Sequence, residues 1–153
     1  MIDNIISTLK DKMSKTIDIL KSNLSSVKVG RANPSMLDRI EVEYYGSMTE
    51  KAILKSDLGL VPNNDGSTIR LIIPEMTEET RKDTVKKVKK IAEDSKVSIR
   101  AIRRDANDKA KSLKKENSIT EDELKKSEDE IQKITDKFIK DIVSVKEKEI
   151  MSI

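Results

Sequence analysis

Neither cysteine nor histidine occurs in the 153 residues of this chain. Without thiols there is no disulfide framework, no thiolate nucleophile and no thiolate metal site. Without imidazole the usual base near neutral pH and the commonest metal ligand are missing as well. Aromatic residues make up 2% of the chain, so its core must be aliphatic. The four glycines are scattered at positions 30, 46, 59 and 66, which leaves no phosphate-cradling loop. No apolar run reaches the roughly 20 residues that span a bilayer, and Met1-Ile2-Asp3-Asn4 lacks a basic segment leading into an apolar one. These absences predict a soluble protein of the reducing cytoplasm with no membrane partner, no metal and no cofactor. An enzyme is the least expected class. Neighbouring acids such as Asp105 and Asp108, or Glu78 and Glu79, read as helix-surface and first-turn residues, and nothing pairs a nucleophile with a base.

What the chain has in abundance is charge. Charged residues are 39% of the total, yet 31 Lys and Arg against 28 Asp and Glu leave a net charge of only +3. Any affinity for nucleic acid must therefore come from a local patch. The stretch from Glu75 to Asn117 is free of Pro and Gly and reads as one long helix. Val85, Val88, Ala92, Ser95, Ile99, Ile102, Ala106, Ala110 and Leu113 recur in steps of three and four, which makes one stripe. Pro74 ends what precedes it. Thr77, followed by Glu78 and Glu79, offers a capping hydroxyl and first-turn carboxylates to the free N–H groups. Asn117-Ser118 breaks the pattern, and Thr120 with Glu123 resembles a capping box opening a further helix.

The other faces of this helix are sorted by charge. At roughly 100° per residue, Lys82, Lys86, Lys89, Arg100, Arg104 and Lys111 fall on one flank of the stripe, interrupted by Glu93. Asp83, Asp94, Asp105 and Asp108 share the next sector round. A solvated helix laced with pairs such as Asp105 and Lys109 accounts for much of this. The placement of arginine favours more: Arg100, Arg103 and Arg104 cluster where lysine prevails elsewhere, and a guanidinium fork suits phosphate.

Residues 2 to 29 read as a second amphipathic helix through Ile5, Leu9, Met13, Ile17, Leu20, Leu24 and Val27, with Gly30 placed to end it in a left-handed conformation. From 31 to 73 the grammar changes. Ile40, Val42 and Tyr44 alternate with Glu41, Glu43 and Tyr45 as in a half-buried strand, Glu50 to Leu58 suit a short helix, and Pro62-Asn63-Asn64-Asp65-Gly66 signals a turn before a strand over Thr68 to Ile73. Tyr44 and Tyr45 suit either base stacking or hinge-proximal packing, the latter preferred. Thr120 to Ser152 supplies a third helix through Leu124, Ile131, Ile134, Phe138, Ile142 and Val145. The expected architecture is mainly α with a small β portion: an elongated three-helix bundle from 1–30 and 74–153 carrying a reduced α/β arm from 31–73. Gly30, Arg31, Ala32, Asn33, Pro34 and Pro74 form the expected hinge, with Asn33 steered from helical geometry by Pro34. Three stripes in one chain can satisfy one another, so a monomer is expected.

Several blocks then carry a resemblance: Val29-Gly30-Arg31-Ala32-Asn33-Pro34, Val42-Glu43-Tyr44-Tyr45-Gly46, Ser56-Asp57-Leu58-Gly59-Leu60, Pro74-Glu75-Met76-Thr77-Glu78-Glu79-Thr80-Arg81-Lys82, and Ile102-Arg103-Arg104-Asp105-Ala106-Asn107-Asp108. In this order they resemble the bacterial ribosome recycling factors. The resemblance implies a three-helix domain with a small β-rich domain on a flexible hinge. It implies binding to the large ribosomal subunit after termination, and subunit separation with elongation factor G. It further implies contact between bundle arginines and 23S rRNA. The matching positions are Arg31, Arg81, Arg100, Arg103 and Arg104, joined on the cationic flank by Lys82, Lys86, Lys89 and Lys111. Arg103 lies nearer the apolar stripe and has a packing role open to it. Arg31 has the alternative of meeting the first helix's terminal carbonyls.

One departure from the family is large. After Tyr44-Tyr45-Gly46 the chain runs through Ser47-Met48-Thr49 almost directly into the short helix, and a block of about 30 residues, most of what lets such an arm fold alone, is absent. Two rival readings follow. One is a ribosome- or RNA-binding bundle without splitting activity. The other is a structural protein whose stripes pack against partner helices, which replacement of Arg100 or Arg104 would leave unaffected.

Overall fold

The computed structural model describes residues 1–27, 37, 52–55, 60–66, 68–73 and 75–153. Three helices dominate it: α1 (Ile2–Ser25), α2 (Glu78–Lys115) and α3 (Glu121–Ser152). At about 1.5 Å per residue their lengths are about 36, 57 and 48 Å. Each packs on the other two, because each carries one apolar stripe and three stripes close around a common axis.

The stripes are complementary in size. From α1, Leu9, Met13, Ile17, Leu20 and Leu24 are buried, with Met13 and Leu20 wholly enclosed. From α2 the buried set is mostly small: Thr84, Val88, Ala92, Ser95, Ile99, Ala106 and Ala110. Small residues on one helix let the backbones approach while large ones on the other fill the gap, which keeps packing dense without aromatics. Ile131 and Ile142 of α3 complete the core, with Ile134, Phe138 and Val145 half-buried against it. Three hydroxyls enter this core at little cost because each of the three finds a carbonyl one turn back on its own helix. Thr135 Oγ1 donates to Ile131 O at 2.7 Å, Ser127 Oγ to Leu124 O at 2.7 Å and Thr84 Oγ1 to Thr80 O at 2.8 Å. Thr84, Ser127 and Thr135 were absent from the stripes expected from apolar spacing.

Helix ends follow local chemistry. Thr77 caps α2, accepting from Thr80 N at 3.2 Å, so the helix begins at Glu78 rather than Glu75. At its other end Asn117 turns left-handed (φ 55°), with its N–H donating to Lys114 O and that of Ser118 to Leu113 O; these are the two bonds of a Schellman ending. Thr120 and Glu123 form a reciprocal capping box: Glu123 N donates to Thr120 Oγ1 at 3.2 Å, and Thr120 N to Glu123 Oε2 at 2.7 Å. This tight turn makes α2 and α3 antiparallel neighbours, as the pairs Lys111–Glu128 and Arg103–Gln132 record.

Expectations for the end of α1 and for the hairpin need correction. The first helix stops at Ser25, not near residue 29, and Ser26 caps it in a right-handed conformation (φ −82°, ψ −9°). Ser25 Oγ and Ser26 Oγ donate to the carbonyls of Ser22 and Asn23, both at 2.7 Å, taking up the last turn's acceptors. Gly30 lies outside the described residues. Pro62, Asn63 and Asn64 are not turn residues but a strand, β1 (Pro62–Asn64), paired antiparallel with β2 (Ile69–Leu71) in the register Pro62↔Leu71, Asn63↔Arg70 and Asn64↔Ile69. Proline fits the first residue of an edge strand, where its missing N–H breaks no ladder. The reversal sits one step later: Gly66 adopts φ +93°, its N–H donates to Asn64 Oδ1 at 2.8 Å, and Thr68 N donates to Asp65 Oδ1 at 2.9 Å. The strand expected over Thr68–Ile73 is thus shorter. Residues 52–55 are helical, with Ile53 buried. The expected strand through Ile40, Val42 and Tyr44, together with Tyr45, lies outside the described residues.

Truncating Leu20 to Ala should cost about 2–5 kcal/mol in urea unfolding, whereas Ile19→Ala on the exposed face should stay within about 0.5 kcal/mol. Glu123 supplies a pH test. Hydrogen bonds from the Thr120 N–H and then from its hydroxyl hold this carboxyl below its ordinary 4.5. The stability it contributes is complete above 4.5 and is lost as pH falls through the lower folded value. Glu123→Gln keeps an acceptor but cannot titrate, so its melting temperature should fall less steeply than that of the parent as pH drops below 4.5.

Candidate nucleic-acid interface

The core fixes the azimuth of α2, and with it where each charge points. The flank leading round to α3 carries Lys82, Lys86, Lys89, Arg100, Arg104 and Lys111, all exposed, while Arg103 is half-buried at the seam itself. The opposite flank faces α1: Asp105 Oδ2 receives Lys12 Nζ at 3.3 Å and Lys109 Nζ at 3.1 Å. Hydrogen bonds from Lys109 and then Lys12 hold the Asp105 carboxyl below its ordinary value. Asp105 is thereby satisfied on the α1 side, and the cationic sector lies on the α3 side.

The sector is a stripe rather than a focus. Lys82 and Lys111 lie about 44 Å apart along the axis. Much of the lysine charge is met within the chain: Lys82 pairs with Glu78 at 2.9 Å, Lys86 with Asp83 at 3.7 Å and Lys111 with Glu128 at 3.8 Å. These are exposed pairs worth little individually, readily exchanged for another anion. Among the described residues no ion pair engages Arg81, Arg100 or Arg104. Arg100 and Arg104 are one turn apart, on one azimuth, and present free guanidinium forks in the middle of the bundle.

Not every expected residue joins them. Arg81 is exposed in the first turn but stands seven residues before Val88, so it lies on the side of the apolar stripe rather than on the cationic flank. Arg103 donates to Gln132 Oε1 of α3 at 3.2 Å. Arg31, and the expected hinge of Gly30, Ala32, Asn33, Pro34 and Pro74, lie outside the described residues. Glu93, the interruption in the sector, accepts from Lys96 Nζ at 2.8 Å. That bond, with the charges of Lys96, Arg100 and Lys146, keeps its carboxyl below the ordinary 4.5, so it is ionised and subtracts from the local positive potential.

Four residues of this region were missed by sequence reasoning. Lys96 has its stem largely covered, at 15% side-chain exposure, and its one-turn spacing from Arg100 was a usable signal. Asn107 keeps Oδ1 buried with no donor, one turn beyond Arg103. Gln132 and Asp136, joined by a 2.8 Å bond from Gln132 Nε2 to Asp136 Oδ1, reach the sector from α3. Only the register between helices reveals them. Among the described residues there is no group of side chains suited to a metal ion, and no helix is long and apolar enough to cross a membrane. The chemistry on offer is the recognition of an extended polyanion by fixed cations on a rigid helix.

Comparison with known proteins gives this surface a context. The family model described as ribosome recycling factor matches residues 48–151. The ribosome-recycling factors of Clostridium perfringens (strain SM101 / Type A) and Clostridium acetobutylicum are 56% and 57% identical, with all of each chain covered. Those alignments run over 185 positions against 153 residues here, so 185 − 153 = 32 positions have no counterpart in this chain. The family match opens at Met48, just past the Gly46-Ser47 step at which the expected block is absent. Among solved structures, a solution structure of the ribosome recycling factor superposes with a TM-score of 0.71 at 30% identity, covering 99% of this chain and 98% of that one. A structure of the T. thermophilus ribosome recycling factor and the E. coli elongation factor G bound to the E. coli post-termination complex gives 0.62 at 39% identity, covering 98% of each chain. Full-length relatives at this identity leave one assignment for a three-helix protein of this design: the chain belongs to the ribosome recycling factor family.

Proposed function

We infer that this protein binds the large ribosomal subunit after termination and helps elongation factor G separate the subunits, with the α2 cationic flank meeting 23S rRNA. The observation that carries the reading is the pair Arg100 and Arg104: exposed, one turn apart and engaged by no ion pair among the described residues. In a chain of net charge +3 such a pair has to be kept in place by the fold, since general basicity cannot supply affinity. Arg103, Lys82, Lys86, Lys89 and Lys111 extend the contact along the axis, and Arg31 and Arg81 belong to it by family likeness. A solved relative bound with elongation factor G to a post-termination complex supports the partner assignment. The protein acts as a binding factor in the cytoplasm and works as a monomer, GTP hydrolysis being the partner's.

A second reading is favoured by the 32 unmatched positions. A chain lacking most of the β-rich arm keeps the RNA-facing bundle, yet loses surface on which an elongation factor pushes. It would then occupy the ribosome without splitting it.

Co-sedimentation with large ribosomal subunits across a salt series tests the first claim. Neutralising about five phosphates gives a slope near −4 in log affinity against log salt, and Arg100→Ala/Arg104→Ala should make it shallower by about 1.4–1.8. Unchanged affinity and slope in the double variant would overturn the assignment of this face. A subunit-splitting assay with elongation factor G and GTP then separates the two readings: splitting supports a working arm, and binding without splitting supports the truncated one.

A further inference from the structure

Arg103 differs from the other cations of the α2 flank in the kind of group that holds it. Lys82, Lys86, Lys96 and Lys111 are met by carboxylates. Arg103 is met by an amide, Gln132 Oε1, at 3.2 Å. The amide in turn is fixed: Gln132 Nε2 donates to Asp136 Oδ1 at 2.8 Å, one turn along α3. A carboxylate accepts only, so it demands the NH2 end of the amide and leaves the carbonyl end for the guanidinium. The order Asp136, Gln132, Arg103 is therefore set by hydrogen-bond polarity.

We propose that Gln132, oriented by Asp136, is a positioning residue that holds the Arg103 guanidinium at the α2–α3 seam in a geometry ready for phosphate without neutralising its charge. This rests on the RNA-facing role proposed above for the cationic flank. The physical reason for an amide is direct. A carboxylate at the same place would fix the guanidinium equally well, but it would also compete with phosphate for the same fork and cancel its charge. A neutral acceptor restrains one side of the fork and leaves the remaining N–H donors, and the full positive charge, for the ligand. Placing the negative partner on the far side of the amide polarises the carbonyl acceptor without bringing the anion to the arginine. Ordering a long side chain before binding also removes part of the entropy loss on association. Arg103 thus stands between the free arginines, Arg100 and Arg104, and the core that fixes α2.

Three variants test this: Gln132→Met, which keeps length and removes both hydrogen bonds, Asp136→Ala, and Arg103→Ala. Besides the melting temperature, two readouts are used, each on the full chain. The first is NMR of the free protein, following rotation of the Arg103 guanidinium. The second is co-sedimentation with large ribosomal subunits across a salt series. The expected result is faster guanidinium rotation in Gln132→Met and Asp136→Ala with an unchanged melting temperature. Affinity for the subunit should fall several-fold, and the salt slope should become shallower by up to about 0.7–0.9, the value for one phosphate contact. Adding Gln132→Met to Arg103→Ala should cause no further loss. A seam contact that only ties α2 to α3 would lower the melting temperature and leave the slope alone, which would overturn the proposal. So would unchanged rotation in Gln132→Met, or faster rotation with undiminished affinity while Arg103→Ala still weakens binding. If Arg103→Ala and Arg100→Ala/Arg104→Ala all bind as the parent does, the RNA-facing reading itself fails and this inference falls with it.

Discussion

Everything in this molecule depends on the packing of large α1 side chains into the small-residue stripe of α2. Leu9, Met13 and Leu20 share one core cluster with Ala92 and Ala106, and this packing sets how close the helices come and, because a stripe occupies one azimuth, how α2 is rotated. A helix of about 57 Å held at fixed rotation becomes a ruler with differently charged edges. On the acidic edge Asp105 is engaged by Lys12 of α1, and the cationic edge is left beside α3. A change of rotation by one residue would move the arginines by about 100° and bring acid to the seam. The function of the surface is therefore inseparable from the burial that orients it.

Electrostatics on that surface are graded rather than uniform. Lys82, Lys86 and Lys111 are held by nearby carboxylates at 2.9–3.8 Å, which lowers their field but leaves pairs that open readily. Arg100 and Arg104 carry no such partner among the described residues, and Arg103 is restrained by a neutral amide. A protein of low net charge acquires in this way one region where a polyanion gains by docking, without general adhesion to nucleic acid.

Features of the chain that rest on neighbours in sequence were legible in advance. Thr77, and Thr120 with Glu123, announce helix starts because a cap needs only residues three apart. The apolar stripes announce the bundle, and the azimuths of Arg100 and Arg104 follow from them. What was misread depends on longer-range information. Pro62-Asn63-Asn64 carries turn residues, yet it becomes a strand because Ile69–Leu71 is there to pair with it. α1 ends at Ser25, where Ser25 and Ser26 bond back to Ser22 and Asn23, although the heptad pattern alone continues. Thr84, Ser127 and Thr135 count as polar in a pattern and as core in the fold, since their hydroxyls are satisfied one turn back. Gln132 was invisible because its role exists only when residue 132 of α3 lies against residue 103 of α2.

The alignments leave 32 positions without a counterpart in this chain, while the family match over residues 48–151 takes in all of α2 and nearly all of α3. The central proposal accordingly concerns the bundle: that its α2 flank meets ribosomal RNA. The most direct test is a structure of this protein bound to the large ribosomal subunit. The account predicts rRNA phosphates within hydrogen-bond distance of the Arg100 and Arg104 guanidinium groups, with the α1 side turned away. RNA lying against the Asp94–Asp105 side, or contact confined to the arm, would contradict it.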